Sequence, residues 1–393
     1  MKDSEQVLAA CQQVEVSFIK DWQALVAIDS PTCCQDGLAQ MGDFIVNKLI
    51  GLGATVVTYP VNDGQDGYNV VGTIEGNGGG SILLLVHMDT VFPVGAAVER
   101  PFHIDDEGIA HGPGVSDDKA GIVQCLHALE ILRNLGYTAY KKITLLANCQ
   151  EENGSHETRE LIMKLAREHD CVLCAEAGLP GDGICTKRVG SGNLVTEVKG
   201  RTAHAAYPWQ GYNAADELAY QVLHLNQLAN QEAGTIITTR ILEAGMDNVE
   251  KNVVPDQARA VMRVYAHSPE EMDRVEQAAW ALAQKTQISG TQVTSSFQLA
   301  FPPFVQSAKN LKLAGLAQQV YQEIGLTLTL ASGAAATDAG WAAAVNEATL
   351  CSVGPVSNGQ NHTVQEGADV KSIVPRLYLL TRLLMELGLQ ECI

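Results

Sequence analysis

Four apolar runs, Ile82 to Val86, Ile143 to Asn148, Cys171 to Ala175 and Ala348 to Val353, constrain this chain most, because each has the length of a buried strand and leads into polar residues capable of chemistry. Helical patterns lie between them. Ile122, Leu126, Leu129 and Leu132 recur at helical spacing over Ala120 to Leu135, and Gly136 closes that segment. Ile373 to Leu387 predicts another amphipathic helix, with Ser372 as its N-cap and Pro375 tolerated in the first turn. Strands alternating with helices predict an α/β sheet, in which the carboxyl ends of the strands carry the site.

The middle third reads differently. A strand over Asn193 to Lys199 precedes a helix over Ala214 to Leu228, strands over Thr235 to Leu242 and Gln257 to Ala266, a helix over Pro269 to Lys285 and a strand over Thr291 to Leu299. That β-α-β-β-α-β order is the split βαβ layout of a small ferredoxin-like unit. Gly190-Ser191-Gly192 and Pro302-Pro303 read as its two hinges, giving a larger domain of residues 1–189 and 302–393 and an inserted domain of residues 190–301. A chain of 393 residues, 46% of them apolar, is long enough to fill two cores.

Charge narrows the partners. The formal net charge is −19 and the basic residues are scattered, which argues against nucleic acid or an anionic membrane surface as a partner. The start, Met1-Lys2-Asp3-Ser4-Glu5-Gln6, lacks the pattern of a signal peptide, and no apolar stretch is long enough to span a bilayer, so the chain reads as a soluble cytoplasmic protein. Ten cysteines are too few for a disulfide scaffold, and Cys149, Cys171, Cys174 and Cys351 lie in or beside apolar runs as buried thiols would. Cys171 and Cys174 have metal-motif spacing but no second pair to complete a four-sulfur site, so core packing is the reading. Cys33-Cys34 is a candidate exposed thiol pair.

Five places carry potential chemistry. In Leu84 to Thr90 an apolar run ends in His87-Met88-Asp89, where His87 can offer one ring nitrogen to a metal while Asp89, two residues on and on the same strand face, receives the other N–H. The glycine-rich turn Gly112 to Gly121 delivers Asp117 and Asp118 just before a helix. Glu151-Glu152 follows the second run as a pair able to divide two jobs, one as metal ligand and one facing substrate. Glu176 ends the third run, and His362 stands in the loop beyond the fourth. Each alone has an ordinary reading as a solvated or hydrogen-bonded polar residue. Together, two imidazoles and several carboxylates suffice for two divalent cations, and a donor set of nitrogen and oxygen without thiolate suits zinc, with manganese or cobalt as substitutes.

In their order and spacing, these motifs resemble the two-zinc peptidase family of carboxypeptidase G (glutamate carboxypeptidase), the aminoacylases, acetylornithine deacetylase and succinyl-diaminopimelate desuccinylase. The likeness runs over nearly the whole chain and is greatest to the glutamate carboxypeptidase branch, through His87-Met88-Asp89-Thr90-Val91, Gly112-Pro113-Gly114 with Asp117-Asp118-Lys119, and Arg376-Leu377-Tyr378. It implies a zinc-exopeptidase-like α/β fold: a mixed sheet flanked by helices, with the inserted α+β unit as lid and dimerisation domain. Asp117 would bridge two zinc ions, His87 and Glu176 completing one site and Glu152 and His362 the other. Glu151 would be the general base, Asp89 the partner of His87, and the Asp117–Asp118 bond cis. His204, in Gly200 to Ala206, matches the lid histidine of the oxyanion site, which in several members acts in the neighbouring subunit, and Asn252 matches another lid residue that meets substrate.

Two departures bear on specificity. The resemblance makes Arg263 the receiver of a substrate carboxylate, but Val261 stands where relatives carry Asp two residues earlier. Ser332-Gly333-Ala334-Ala335-Ala336-Thr337-Asp338 stands where they carry a glycine run before Thr-Asp. The expected activity is therefore hydrolysis of an amide bond beside a carboxylate in a small peptide or N-acyl amino acid, of carboxypeptidase or dipeptidase type, with an N-acyl-amino-acid deacylase as the alternative. A non-catalytic binding protein on the same scaffold should have lost ligands or base, and here all are present.

Overall fold

A computed structural model describes residues 2–245 and 252–389. The chain divides into two compact units, one of Met1–Lys187, Gln306–Gly333 and Thr337–Ile393, the other of Arg188–Val305 and Ala334–Ala336. The boundaries expected from sequence, 190 and 301, fall inside the second unit because Arg188 and Phe304 pair backbone to backbone, at 2.9 and 3.1 Å, and hold its two ends together.

In the first unit an eight-stranded mixed sheet runs in the order Thr55–Pro60, Tyr68–Glu75, Lys142–Asn148, Ser81–His87, Cys171–Cys174, Thr349–Cys351, Gly183–Arg188, Thr329–Gly333. Its four central strands, from Lys142–Asn148 to Thr349–Cys351, are mutually parallel. Every residue of Ser81–His87 is buried, as expected where helices cover both faces of a parallel sheet, and this is why the strand reads as an unbroken apolar run rather than an alternating one. Register then aligns the strand ends: His87 lies opposite Asn148, Leu85 opposite Cys174, and Cys174 opposite Cys351. Residues that follow these ends therefore collect along one edge of the sheet.

The helices Lys2–Val26, Lys119–Asn134 and Ile373–Gly388 pack on one another, and the last two also pack on Ser81–His87. Trp22, wholly buried, donates its indole N–H to the Val115 carbonyl at 2.8 Å and so ties the first helix to the glycine-rich turn. Lys119 closes the same turn from the other side, donating to the carbonyls of Ile28 at 2.8 Å and Pro113 at 3.1 Å. Gly114 holds φ +68°, and a Cβ there would lie 2.5 Å from the Thr90 methyl, so the turn admits no side chain at this position.

Two local expectations are corrected. Ser372 has helical dihedrals and its side chain caps nothing; its hydroxyl donates to the Asp369 carbonyl and accepts the Val356 amide, while Asp369 caps a short 3-10 turn that leads into the helix. Gly190-Ser191-Gly192, expected as a hinge, is the start of the strand Gly190–Lys199, paired residue by residue with Val264 to Ala266. The glycines there make room for Pro303 and Phe297, either of which a Cβ would strike.

The second unit is an antiparallel sheet in the order Ile236–Ala244, Gln257–Ala266, Gly190–Lys199, Gln292–Phe301, the order a split βαβ fold produces. The helices Ala214–Asn226 and Pro269–Ala283 are capped by Asn213 and Ser268. They pack on the sheet through a core that includes Leu194, Val198, Leu218, Met262, Val264 and Val275.

Candidate metal centre

The site lies in the first unit, along the carboxyl edge of the parallel strands. His87 ends its strand with a buried ring whose Nε2 is 2.9 Å from Asp117 Oδ1 and 3.6 Å from Glu176 Oε1. His362 approaches the same aspartate from the opposite side, its Nε2 3.2 Å from Asp117 Oδ2 and 3.2 Å from Glu152 Oε2. Two groups of potential ligands result, His87, Asp117 and Glu176, and Asp117, Glu152 and His362, each with its donor atoms within 4.8 Å of one another and with Asp117 common to both. The bond from Asp117 to Asp118 is cis.

Asp89 does more than the sequence suggests. The strand stops at His87, so the His87 Nδ1–H donates first to the Asp89 carbonyl at 3.0 Å, the nearer carboxylate oxygen standing at 3.4 Å. That carboxylate instead accepts the backbone amides of Glu151 and Glu152 at 3.0 and 3.1 Å, and the Thr32 hydroxyl at 2.7 Å. It therefore fixes the turn that presents the glutamate pair. Asp338 holds the same turn from below, accepting from Asn148 Nδ2 at 2.6 Å and from the Ser155 hydroxyl.

The electrostatics favour cations. Burial opposes charge on His87, but hydrogen bonds to Asp117 and Asp89 and the charges of Glu151 and Glu176 outweigh it and hold its pKa well above the usual imidazole value. His362 is pushed up to about 11, first by Asp117 and then by Glu152. Glu151 is raised by burial and by the carboxylates of Glu176, Asp338 and Glu152 against the pull of His87, and Glu152 is raised by burial despite its bond to His362. Among the described residues Asp117 and Glu152 form ion pairs with imidazoles alone, and Asp118 Oδ1, Glu151 Oε1 and Glu152 Oε1 are buried without a hydrogen-bond partner. Carboxylates buried with so little compensating charge are costly, and divalent cations bound by nitrogen and oxygen donors fit what this cluster lacks.

The remaining candidates lie in the second unit. His204 is exposed, its segment joined to that of Asn252 by an antiparallel bridge to Val253 and by the Ala205 amide donating to the Asn252 carbonyl at 3.0 Å. Arg263 is half-buried on the strand Gln257–Ala266, its guanidinium donating to Ser191 Oγ at 2.8 Å and Asn193 Oδ1 at 3.4 Å. It has no ion pair among the described residues. Val261, on the same strand face, is buried. Sequence reasoning missed Thr32 and Asp338 as holders of the Glu151-Glu152 turn; only Asp338, in its Thr-Asp dipeptide, offered a local signal.

A sheet with parallel strands at its centre and two overlapping histidine–carboxylate groups along their carboxyl edge fits an α/β enzyme that works with bound divalent cations. The chain belongs to peptidase family M20/M25/M40, which it matches over residues 83–386. Carboxypeptidase G2 of Pseudomonas sp. (strain RS-16) is 32% identical over 382 residues, covering 96% of this chain and 91% of that protein. Acetylornithine deacetylase of Klebsiella pneumoniae (strain 342) is 27% identical over 220 residues, 54% of this chain and 55% of its own. In fold, a tripeptidase from Staphylococcus aureus superposes with a TM-score of 0.76 at 20% identity, over 96% of this chain and 99% of that one.

Proposed function

We propose that this protein hydrolyses an amide bond next to a free carboxylate in small peptides or N-acyl amino acids, as a carboxypeptidase or dipeptidase using two zinc ions, manganese or cobalt being workable substitutes. The observation that carries the reading is Asp117, whose two oxygens face two different imidazoles, each accompanied by a further carboxylate. His87, Asp117 and Glu176 would hold one ion, and Asp117, Glu152 and His362 the other.

When bound, the ions supply Lewis-acid polarisation of the scissile carbonyl and a lowered pKa for the attacking water. Glu151 accepts the water's proton and returns it to the leaving nitrogen, a task suited by the upward shift of its pKa. Asp89 keeps Glu151 in place through the backbone amide and holds the His87 ring through Nδ1. Arg263, oriented by neutral partners and paired with no anion among the described residues, receives the substrate carboxylate in its guanidinium fork. His204 donates to the developing oxyanion and Asn252 contacts substrate during turnover, the inserted unit serving as a lid. The same unit is the proposed homodimer interface, and His204 acting on a second copy would make the dimer necessary.

The deacylase alternative draws on the half-length likeness to acetylornithine deacetylase. A cytoplasmic location is supported by the nine described cysteines, none of them in a disulfide and seven of them buried, while Cys392 lies outside the described residues. Among the described residues no helix is long and apolar enough to cross a membrane. With a net charge of −19, neither nucleic acid nor an anionic membrane is a proposed partner.

Metal analysis of the purified protein, paired with hydrolysis of a panel of dipeptides and N-acyl amino acids before and after chelation, tests the proposal. Near two zinc per chain with chelator-sensitive release of one amino acid is the expected result. Failure to bind metal after reconstitution with zinc overturns it.

A further inference from the structure

We propose that Glu366 and Asn361, neither of them a potential metal ligand in the two groups, are positioning residues that set the place and rotation of the Asp117 carboxylate. The inference rests on the reading of Asp117 as the ligand shared by two cations. A shared carboxylate has a stricter task than an ordinary ligand, since each oxygen must face its own ion, and a turn about the Cβ–Cγ bond spoils both sites together. Asp117 sits in a glycine-rich turn whose flexibility cannot by itself hold that rotation.

The loop from Ser357 to Glu366 supplies the restraint. Glu366, 1% exposed, accepts the backbone amides of Ser116 at 2.9 Å and Asp117 at 3.1 Å on one oxygen, and the Gly114 amide also bonds to the carboxylate. The N–H groups of the turn thus converge on a buried carboxylate, as in backbone nests. Asn361 acts on the side chain itself. Its Nδ2 donates to Asp117 Oδ2 at 3.3 Å, beside the His362 ring on that same oxygen. The orientation of the amide follows from its other end, because the hydroxyls of Ser116 at 2.8 Å and Ser357 at 2.6 Å both donate to Asn361 Oδ1, leaving the NH₂ to face the aspartate. One short loop therefore brings a ligand, His362, together with the two residues that hold the ligand opposite. Its left-handed bend at His362, φ +65°, is part of that geometry.

The test is zinc binding to chelator-treated protein, followed by competition with a chromophoric chelator, in the wild type and in E366L, E366Q, N361L and H362Q. Because Asp117 belongs to both groups, E366L and N361L are expected to weaken both binding steps, by roughly 10–100-fold, the usual effect of losing an outer partner of a ligand. H362Q should weaken one step only. E366Q, which keeps an acceptor oxygen for the two amides, should recover part of the E366L loss, a pattern that a simple packing defect does not produce. Asn361 is half-buried, so N361L provides the decisive arm should E366L fail to fold. Wild-type affinity at both steps in N361L, or in a folded E366L, overturns the positioning role. A wild type that binds fewer than two zinc ions instead overturns the two-metal reading on which it rests.

Discussion

Metal binding should expel protons from this site in a number that its geometry determines. With only side chains around it, the His362 imidazole has a pKa of about 11 between Asp117 and Glu152, and His87 is also raised far above its ordinary value by Asp117 and Asp89. At about pH 7 both rings are therefore protonated in chelated protein, and each must give up a proton before Nε2 can serve as a ligand. Loading two ions should release about two protons per chain from the imidazoles, and any protonated fraction of Glu152, whose pKa is raised, adds to the count. The sign follows: protons compete with the cations, so affinity rises with pH, about tenfold per unit for each proton displaced. Isothermal titration of zinc into chelator-treated protein, in buffers of different ionisation enthalpy, reads the number directly from the slope of observed heat against buffer heat. Ionisation of solvent can enlarge the total, so the difference between wild type and H362Q isolates one imidazole and should be about one proton. A slope near zero, or affinity that does not change between about pH 6 and pH 8, would refute the picture of two carboxylate-clamped imidazolium rings.

Three further outcomes are expected. E151Q should keep its metal content and substrate affinity while kcat falls by about 10²–10⁴, the usual contribution of a general base; an unchanged kcat in steady-state assays would remove Glu151 from that role. R263M should raise KM for a carboxylate-bearing substrate by roughly 10–100-fold, matching about 1.5–3 kcal/mol for a charge-assisted hydrogen bond, and should leave the corresponding substrate amide little affected; equal loss on both would show that Arg263 does not receive the carboxylate. Stability should decline in acid through His169, which is buried, donates from Nδ1 to the Leu165 carbonyl and accepts the Thr144 hydroxyl at Nε2, and whose pKa is lowered by burial to about 4. Its folded pKa lies below the unfolded value of 6.5, so its contribution is intact above about pH 6.5 and is lost as pH falls to about 4, by about 3 kcal/mol in all. Urea denaturation of H169Q should give a flatter profile across that window, and a wild-type slope there would refute the assignment.

Most of the architecture was legible in local pattern, whereas the candidate ligands were ordinary polar residues one by one and stood out through their combination and the family resemblance. A short unbroken apolar run such as Ile82 to Val86 has the length of a strand covered on both faces, and once four such strands are parallel the residues at their ends share an edge. Alternation and helical spacing likewise marked the inserted unit, where the strand Gln257–Ala266 lies at the bounds expected and the others differ by a few residues. Three-dimensional closure decided the rest. Which oxygen of Asp117 meets which histidine, the use of Asp89 to hold the Glu151-Glu152 turn, and the grip of Asn361 and Glu366 on Asp117 depend on partners far along the chain. The same is true of Gly190 to Gly192, whose glycines suggested a hinge until the nearness of Pro303 and Phe297 gave them a packing role. Periodicity records only whether a side chain faces inward or outward, whereas hydrogen-bond partners are set by the distances left once sheet, turn and loop have all been placed.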